Sequence, residues 1–371
     1  MMGNSVTANP FTPLFGRIPP FMAGRERLLE SFEQAFSASG ADPNLSSIFV
    51  GARGTGKTAL LAYLAKAAES KGWVTANVSA KPGMLREIRE QIAANSAHLT
   101  DAAPHRKLKS LSIGQWVGAE WENVDDSQDS WRLQMSRLLD SLAEEGVGLL
   151  ITVDEVDPSI DEMIELASVY QHFVREERKV ALLLAGLPSK VSSLVSSDSV
   201  SFLRRSRIHK LGCVSDTEIE LALQTTLSEG GRTLNGEALQ TALEAIGGFP
   251  YLLQLVGFYL WNASDPDSSI DGGTAKVAAA QARADFAHGV LDSTYRELSD
   301  GDIAFLAAML EDGGPSSVGD ITARTGKSPS STRVYKKRLL EQGVIEEERR
   351  GEVRFSLPAF REFLQEKLAE Y

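Results

Sequence analysis

Short, mainly apolar runs alternate with amphipathic stretches over the first two hundred residues of this chain. Val147–Val153 and Val180–Ala185 are continuous apolar runs, as expected of strands buried on both faces, while Ser46–Val50 reads as a short buried strand and Trp73–Val78 as a candidate strand. Between them, Arg25–Ser37, Ala59–Lys66, Met84–Ala97 and Trp131–Glu145 carry apolar positions at helical spacing. Ile208–Leu211 is a fifth candidate strand. Strands alternating with helices predict a parallel sheet with helices on both sides, an α/β architecture.

From about Ser215 the period becomes helical, over Asp216–Glu229, Gly236–Ile246, Tyr251–Trp261 and Ala275–Tyr295, with a loop at Asn262–Ser269. Near Arg296–Asp300 a smaller module begins. It reads as helices Asp300–Leu310, Ser317–Thr325 and Pro329–Gln342, strands Val344–Glu348 and Val353–Ser356, and a final amphipathic helix Ala359–Tyr371. Three domains are expected: an α/β core over 1–213 with a proline-containing lead-in, a helical domain over 214–295, and the small module over 296–371.

Composition narrows the classes. At 371 residues, with 43% hydrophobic and 24% charged residues, the chain is expected to be soluble and globular. No apolar run approaches a membrane span, and the N-terminus lacks a signal-peptide pattern. The single cysteine, Cys213, excludes an internal disulfide and fits a reducing, cytoplasmic setting. The net charge of −12 argues against a protein that coats nucleic acid, though not against a local basic surface.

The strongest chemistry lies between the first strand and its helix. Gly51-Ala52-Arg53-Gly54-Thr55-Gly56-Lys57-Thr58 fits G-x-x-x-x-G-K-[ST] in the strand–loop–helix setting that this motif requires. Glycines let backbone N–H groups approach phosphate oxygens, and the helix from Lys57 through Ala59 points its positive end at the same anion. Lys57 supplies charge to the β- and γ-phosphates, and the Thr58 hydroxyl is a Mg²⁺ ligand. The apolar strand Val147–Val153 ends on Asp154-Glu155, where ligands of open α/β sheets bind. Asp154 is expected to hold the Mg²⁺ shell and Glu155 to orient and deprotonate an attacking water. The competing reading of the pair is a solvated acidic turn, since Asp157 and Asp161 follow closely.

With these residues, the chain resembles the AAA+ ATPases, in the branch of origin-recognition and Cdc6-type initiators and related bacterial ORC1-like ATP-binding proteins. Phe21-Met22-Ala23-Gly24-Arg25-Glu26 is similar to that branch's segment near the adenine, which places Gly24 and Arg25 at the nucleotide. Gly247-Gly248-Phe249-Pro250-Tyr251 resembles a Gly-Gly-x-Pro motif shared with the STAND signalling ATPases, which starts a lid helix beside the nucleotide at Pro250 and Tyr251. The resemblance implies a P-loop NTPase sheet in order 5-1-4-3-2, a helical lid, and ATP/ADP with Mg²⁺ as ligands. It also implies that an arginine near the fifth strand, Arg204 or Arg205, reaches a neighbouring subunit's γ-phosphate; an exposed basic helix end is the other reading of these two. Two departures imply slow turnover: only Ser189 is available as a polar sensor after the fourth strand, and the lid motif has no sensor arginine.

The small C-terminal module has the element order of a winged helix. Between Ile321 and Leu340 it holds six basic residues and no acidic one. Val334, Leu339 and Leu340 are expected to face the core, with Arg333, Lys336 and Lys337 outward, on the phosphates or guanine edges of double-stranded DNA. Against this stand Glu346-Glu347-Glu348 in the wing and a module charge of −2, from 12 basic and 14 acidic residues over 295–371. The leading expectation is an ATPase whose nucleotide state controls DNA engagement by the winged helix. The alternative is a STAND-like regulatory switch whose winged helix packs against the ATPase core, releases on nucleotide exchange and contacts a protein partner; a homo-oligomer or protein partner is expected besides ATP and double-stranded DNA. Trp116 and Trp121, in a hairpin expected over Ser110–Asn123, are read as core packing or as a stacking surface.

Overall fold

The structure, a computed structural model, describes residues 8–14, 16–38, 42–102 and 128–370. The segment with Trp116 and Trp121 lies outside the described residues. The chain divides into two compact units. The sheet unit holds Arg27–Val50 and Lys57–Lys210. The second unit joins the lead-in through Glu26, the loop Gly51–Gly56, and the chain from Leu211 onward.

In the sheet unit, α1 (Glu26–Ser37) precedes β1 (Ser46–Val50), α2 (Lys57–Ser70), β2 (Val74–Ser79), α3 (Met84–Ala102), α4 (Gln128–Glu144), β3 (Leu149–Asp154), α5 (Asp161–Arg175), β4 (Val180–Gly186), α6 (Pro188–Ser196) and β5 (Arg207–Lys210). All five strands are parallel, in the order β2-β3-β4-β1-β5, the expected order read from the other edge. β4 is buried along its whole length, and β3 until its last residue, Asp154, as double-sided burial of their Val, Leu and Ile residues dictates. Val153 and Leu184 are neighbours in register, so the ends of β3 and β4 emerge side by side. Trp73 closes one end of this core, donating its indole N–H to the Phe36 carbonyl at 2.9 Å. Between α6 and β5, Asp198–Arg205 forms 3₁₀ turns that carry both candidate finger arginines.

In the second unit, α7 (Asp216–Ser228) opens with a reciprocal capping box between Ser215 and Glu218. It leads to β6 (Thr233–Leu234), α8 (Gly236–Ile246), α9 (Pro250–Asn262), β7 (Ser269–Ile270) and α10 (Gly272–Phe286). A π-turn over Ala287–Leu291 carries α10 into α11 (Asp292–Arg296), where the sequence predicts one uninterrupted helix. β6 and β7, a parallel bridge of two residues each, has no counterpart in the expectations. The lead-in is anchored to α9: Phe11 is buried, Asn9 donates to the Phe258 carbonyl at 3.0 Å, and the Thr12 N–H donates to Gln254 at 3.0 Å.

The same unit continues through α12 (Asp300–Leu310), β8 (Ser316–Ser317), α13 (Val318–Thr325), α14 (Pro329–Gln342), β9 (Ile345–Arg349), β10 (Glu352–Phe355) and α15 (Phe360–Ala369). The three strands pair antiparallel in the order β8-β10-β9. One apolar cluster runs from Leu253 and Phe286 to Phe305, Ile321, Leu339 and Phe360, so these helices and the C-terminal module share a core.

α14 is rotated from the expected setting. Thr332 and Leu339, seven residues apart, are its buried positions, whereas Val334 is 60% exposed. The apolar seam thus runs one residue round from Val334. Lys336 turns with it, with a side chain only 17% exposed and its ammonium 2.7 Å from Glu347. This corrects the expectation that Val334 faces inward and Lys336 outward.

A second ion pair ties α13 to the turn that follows α12. Arg324 holds Asp312 through bonds of 2.6 and 2.7 Å, and Arg324, followed by Ser316, pulls the Asp312 carboxyl down to about 2. A depressed carboxyl pKa contributes stability above its unfolded value, and that contribution is lost as pH falls through the folded value. Asp312→Asn is therefore expected to lower the denaturation midpoint by a constant amount from pH 7 to about 5, with the gap to wild type closing below about pH 4. Chemical denaturation of the two proteins across this range checks it.

Candidate functional site

The phosphate loop begins where β1 ends. Gly54 and Gly56 adopt φ of +81° and +85°, left-handed values that side chains resist and that turn successive amides toward one side. The Thr55 hydroxyl bonds the Ala52 carbonyl at 2.9 Å and closes the loop on itself. α2 starts at Lys57, so Lys57, Thr58 and Ala59 form the first turn, at the positive end of the helix dipole.

Within the sheet unit, the Thr58 hydroxyl donates to Asp154 Oδ2 at 2.5 Å. A hydroxyl and a carboxylate converging there are hard oxygen donors suited to Mg²⁺, which takes few protein ligands and completes its shell with water and phosphate oxygens. No cluster of three or more His, Cys, Asp or Glu able to hold a metal exists among the described residues, so a cation at Thr58 and Asp154 would take its further ligands from water and phosphate oxygens. These residues fit the cation that the fold implies.

Glu155, next in the chain, is exposed and has a left-handed φ of +53°. Such a conformation in a side-chain-bearing residue costs on the order of 1 kcal/mol. It is held by the Asp154 carboxylate, which accepts the Glu155 N–H at 2.9 Å, and by the Val156 N–H on the Ala185 carbonyl at 2.9 Å. The acidic residues that follow are otherwise engaged. Burial would raise the Asp157 carboxyl, but Lys190 at 2.7 Å and Ser159 outweigh it and hold it below its usual value. Asp161 starts α5.

The loop Gly51–Gly56 has its packing partners within the second unit. The Tyr251 N–H, in the first turn of α9, donates to the Gly54 carbonyl at 3.2 Å, so the lid helix and the phosphate loop share a backbone bond. A Cβ built at Gly54 would meet Tyr251 at 3.5 Å, Phe249 at 3.6 Å and Phe286 at 3.8 Å, and one at Gly56 would meet Pro250 at 3.8 Å. Burial, then Asp285, raises the Tyr251 phenol above its usual pKa. Arg53 is clamped by Glu297 through two bonds of 3.0 and 2.7 Å. No sequence pattern announces that pair, whose members lie 244 positions apart.

Gly24 and Arg25 reach the start of α7. A Cβ built at Gly24 would lie 3.0 Å from both Glu218 Oε2 and Val214 Cγ1, and the Arg25 guanidinium donates to the Gly212 carbonyl at 3.0 Å. Burial lowers the Arg25 pKa, partly offset by Glu218. These contacts fasten the lead-in to the lid. The two candidate fingers separate: Arg204 donates to the Val195 and Ser196 carbonyls at 2.9 and 3.3 Å, closing the C-terminus of α6, whereas Arg205 is exposed with no hydrogen bond or ion pair among the described residues. Ser189 sits in the first turn of α6. On α14, Arg333 is exposed without a partner among the described residues, Lys337 is 77% exposed beside Glu341 at 3.7 Å, and Lys336 is taken by Glu347.

Comparison with known proteins follows this geometry. Residues 22–189 match the AAA ATPase domain, and residues 288–364 match a domain of unknown function, DUF8462. No curated protein sequence matches the chain. Among solved structures, a Walker-type ATPase of Pyrococcus abyssi is similar over 93% of this chain and 96% of its own, at 13% identity and a TM-score of 0.67. The ORC2 protein of Aeropyrum pernix, solved in ADPNP–ADP complexes, is similar over 95% of this chain and 96% of its own, at 15% identity and a TM-score of 0.62. At such identities the likeness is one of fold. Residues 22–189 match the AAA ATPase domain, and the chain as a whole shares the fold of the Pyrococcus abyssi Walker-type ATPase and the Aeropyrum pernix ORC2 protein.

Proposed function

We propose that this protein is a nucleotide-controlled switch: it binds ATP with Mg²⁺, hydrolyses it slowly, and passes its nucleotide state to a C-terminal winged helix. The observation that carries the reading is the convergence of the Thr58 hydroxyl and the Asp154 carboxylate, at 2.5 Å, on the first turn of the phosphate-loop helix, with Glu155 beside them.

The loop amides and the α2 N-terminus bind the phosphate chain, and Lys57 neutralises its β- and γ-oxygens. Thr58 and Asp154 hold Mg²⁺, which when bound neutralises charge on the transferring phosphoryl group. Glu155, exposed and aimed by its left-handed backbone, orients a water and accepts its proton. Arg205 is the arginine free to serve a neighbouring subunit, because Arg204 is occupied with the α6 carbonyls. Slow turnover follows from the lid, which meets the loop through Tyr251, Phe249 and Pro250 rather than through an arginine.

The order helix–strand–helix–helix–strand–strand, with its β8-β10-β9 sheet, supports the winged-helix reading of 300–355. Its charges favour protein contacts over DNA. Lys336, Arg338, Arg324 and Arg354 are paired with Glu347, Asp302, Asp312 and Glu346 respectively, and a phosphate must displace those carboxylates before it can use them. A second reading, double-stranded DNA on α14, rests on Arg333 and Lys337, which remain open to solvent.

Three outcomes test these assignments. Glu155→Gln keeps nucleotide affinity within about twofold and lowers steady-state hydrolysis by about 10²–10⁴, read by phosphate release. Arg205→Ala lowers hydrolysis at unchanged ATP affinity, whereas Arg204→Ala lowers the melting temperature; equal turnover in wild type and Arg205→Ala removes the finger. In anisotropy titrations of labelled duplex DNA across a salt series, with ATP or ADP, little binding is expected. Tight binding whose log–log salt slope flattens by about 0.9 per lost contact in Arg333→Ala/Lys337→Ala establishes the DNA reading instead.

A further inference from the structure

Four consecutive residues of the phosphate loop each meet a different segment of the chain beyond Leu211. A Cβ at Gly51 would lie 2.6 Å from the Leu211 carbonyl oxygen. Gly343, the left-handed C-cap that ends α14, packs so tightly on Ala52 that a Cβ there would come within 2.9 Å of the Ala52 Cβ. Arg53 is held in a fork by Glu297, and the Gly54 carbonyl accepts the Tyr251 N–H. Two of these partners, Glu297 and Gly343, bracket the first three helices of the C-terminal module. The loop that receives the phosphates is thus also the surface on which that module sits.

We infer that the Arg53–Glu297 pair is a nucleotide-sensitive latch, through which phosphate on the loop and the docked C-terminal module compete for one guanidinium. The inference deepens the switch reading and rests on it. Arg53 stands among the amides that receive the phosphate chain, so a bound triphosphate brings several negative charges close to its guanidinium. Those charges attract Arg53 and repel the Glu297 carboxylate, and both effects weaken the fork. The γ-phosphate adds charge, so ATP acts more strongly than ADP. The side chains of Arg53 and Glu297 are 35% and 51% exposed, a setting in which a pair is worth a few-fold in an equilibrium. This suits a latch that a ligand must be able to open. By reciprocity, whatever factor nucleotide takes from the latch, opening the latch gives back to nucleotide affinity.

The test measures ATP-analogue and ADP affinity by calorimetry on the full chain, using a non-hydrolysable ATP analogue with Mg²⁺. The proteins are wild type, Glu297→Asp, Glu297→Gln, Glu297→Lys and, as a control for charge alone, Asp300→Asn, which removes an exposed carboxylate three residues on. Glu297 is exposed and at a helix end, so the series is expected to fold, which melting curves verify. The expected result is a rising affinity for the analogue from Asp through Gln to Lys. Glu297→Gln should gain roughly two- to fivefold, more for the analogue than for ADP, with Asp300→Asn unchanged. Equal affinity across the Glu297 series, or an equal gain in Asp300→Asn, overturns the latch while leaving nucleotide binding standing. Absence of nucleotide binding in wild type overturns the switch reading and the latch together.

Discussion

A phosphate loop works only if its backbone N–H groups face inward, and that demand leaves its outer face to be supported by something else. Here Gly54 and Gly56 provide the left-handed turns, and the outer face is supported by α9 at Gly54, by Glu297 at Arg53 and by the end of α14 at Ala52. The loop groups with the C-terminal half of the chain although it is continuous with β1 and α2 on either side. A segment placed this way is shared property. Under the proposed function its conformation answers to the phosphates on one side and to the C-terminal module on the other, which is the physical basis for reading this protein as a switch.

The charges of the C-terminal module point the same way. A DNA-reading helix keeps its cations in water until phosphates arrive, yet α14 loses Lys336 to Glu347 and Arg338 to the buried Asp302. Asp302 also closes the capping box of α12, so Arg338 is part of how two helices of the module are joined. These cations stabilise the module's own fold. What they leave for a partner is a surface at Arg333, Val334 and Lys337, mixed in character and small.

Much of this was legible in the residues. The double-sided burial of β3 and β4 follows from unbroken runs of Val, Leu and Ile, and the Gly-Lys-Thr motif between strand and helix placed the phosphate loop. Thr58 and Asp154 were each singled out by their motif positions, and the structure has them at hydrogen-bond distance. Other features had no local signal. Val334 fits an apolar seam by composition, but α14 is set by Thr332 and Leu339, because only the packed neighbours decide which of two adjacent stripes is inward. The two-residue bridge β6–β7 is too short to leave a pattern. Arg204 and Arg205 are identical in sequence terms and differ only in which one reaches the α6 carbonyls. The Arg53–Glu297 fork joins residues separated by most of the chain, and periodicity cannot register it.

The central claim is that nucleotide on the loop loosens the module resting against it. Hydrogen exchange of the full chain, compared without nucleotide, with ADP, and with ATP trapped by Glu155→Gln, tests this most directly. The account predicts that residues 46–70 gain protection with either nucleotide, while 292–300 and 339–346 exchange faster with ATP than with ADP. If the loop becomes protected and those two segments exchange alike in all three states, the loop binds nucleotide without informing the module, and the switch account is wrong.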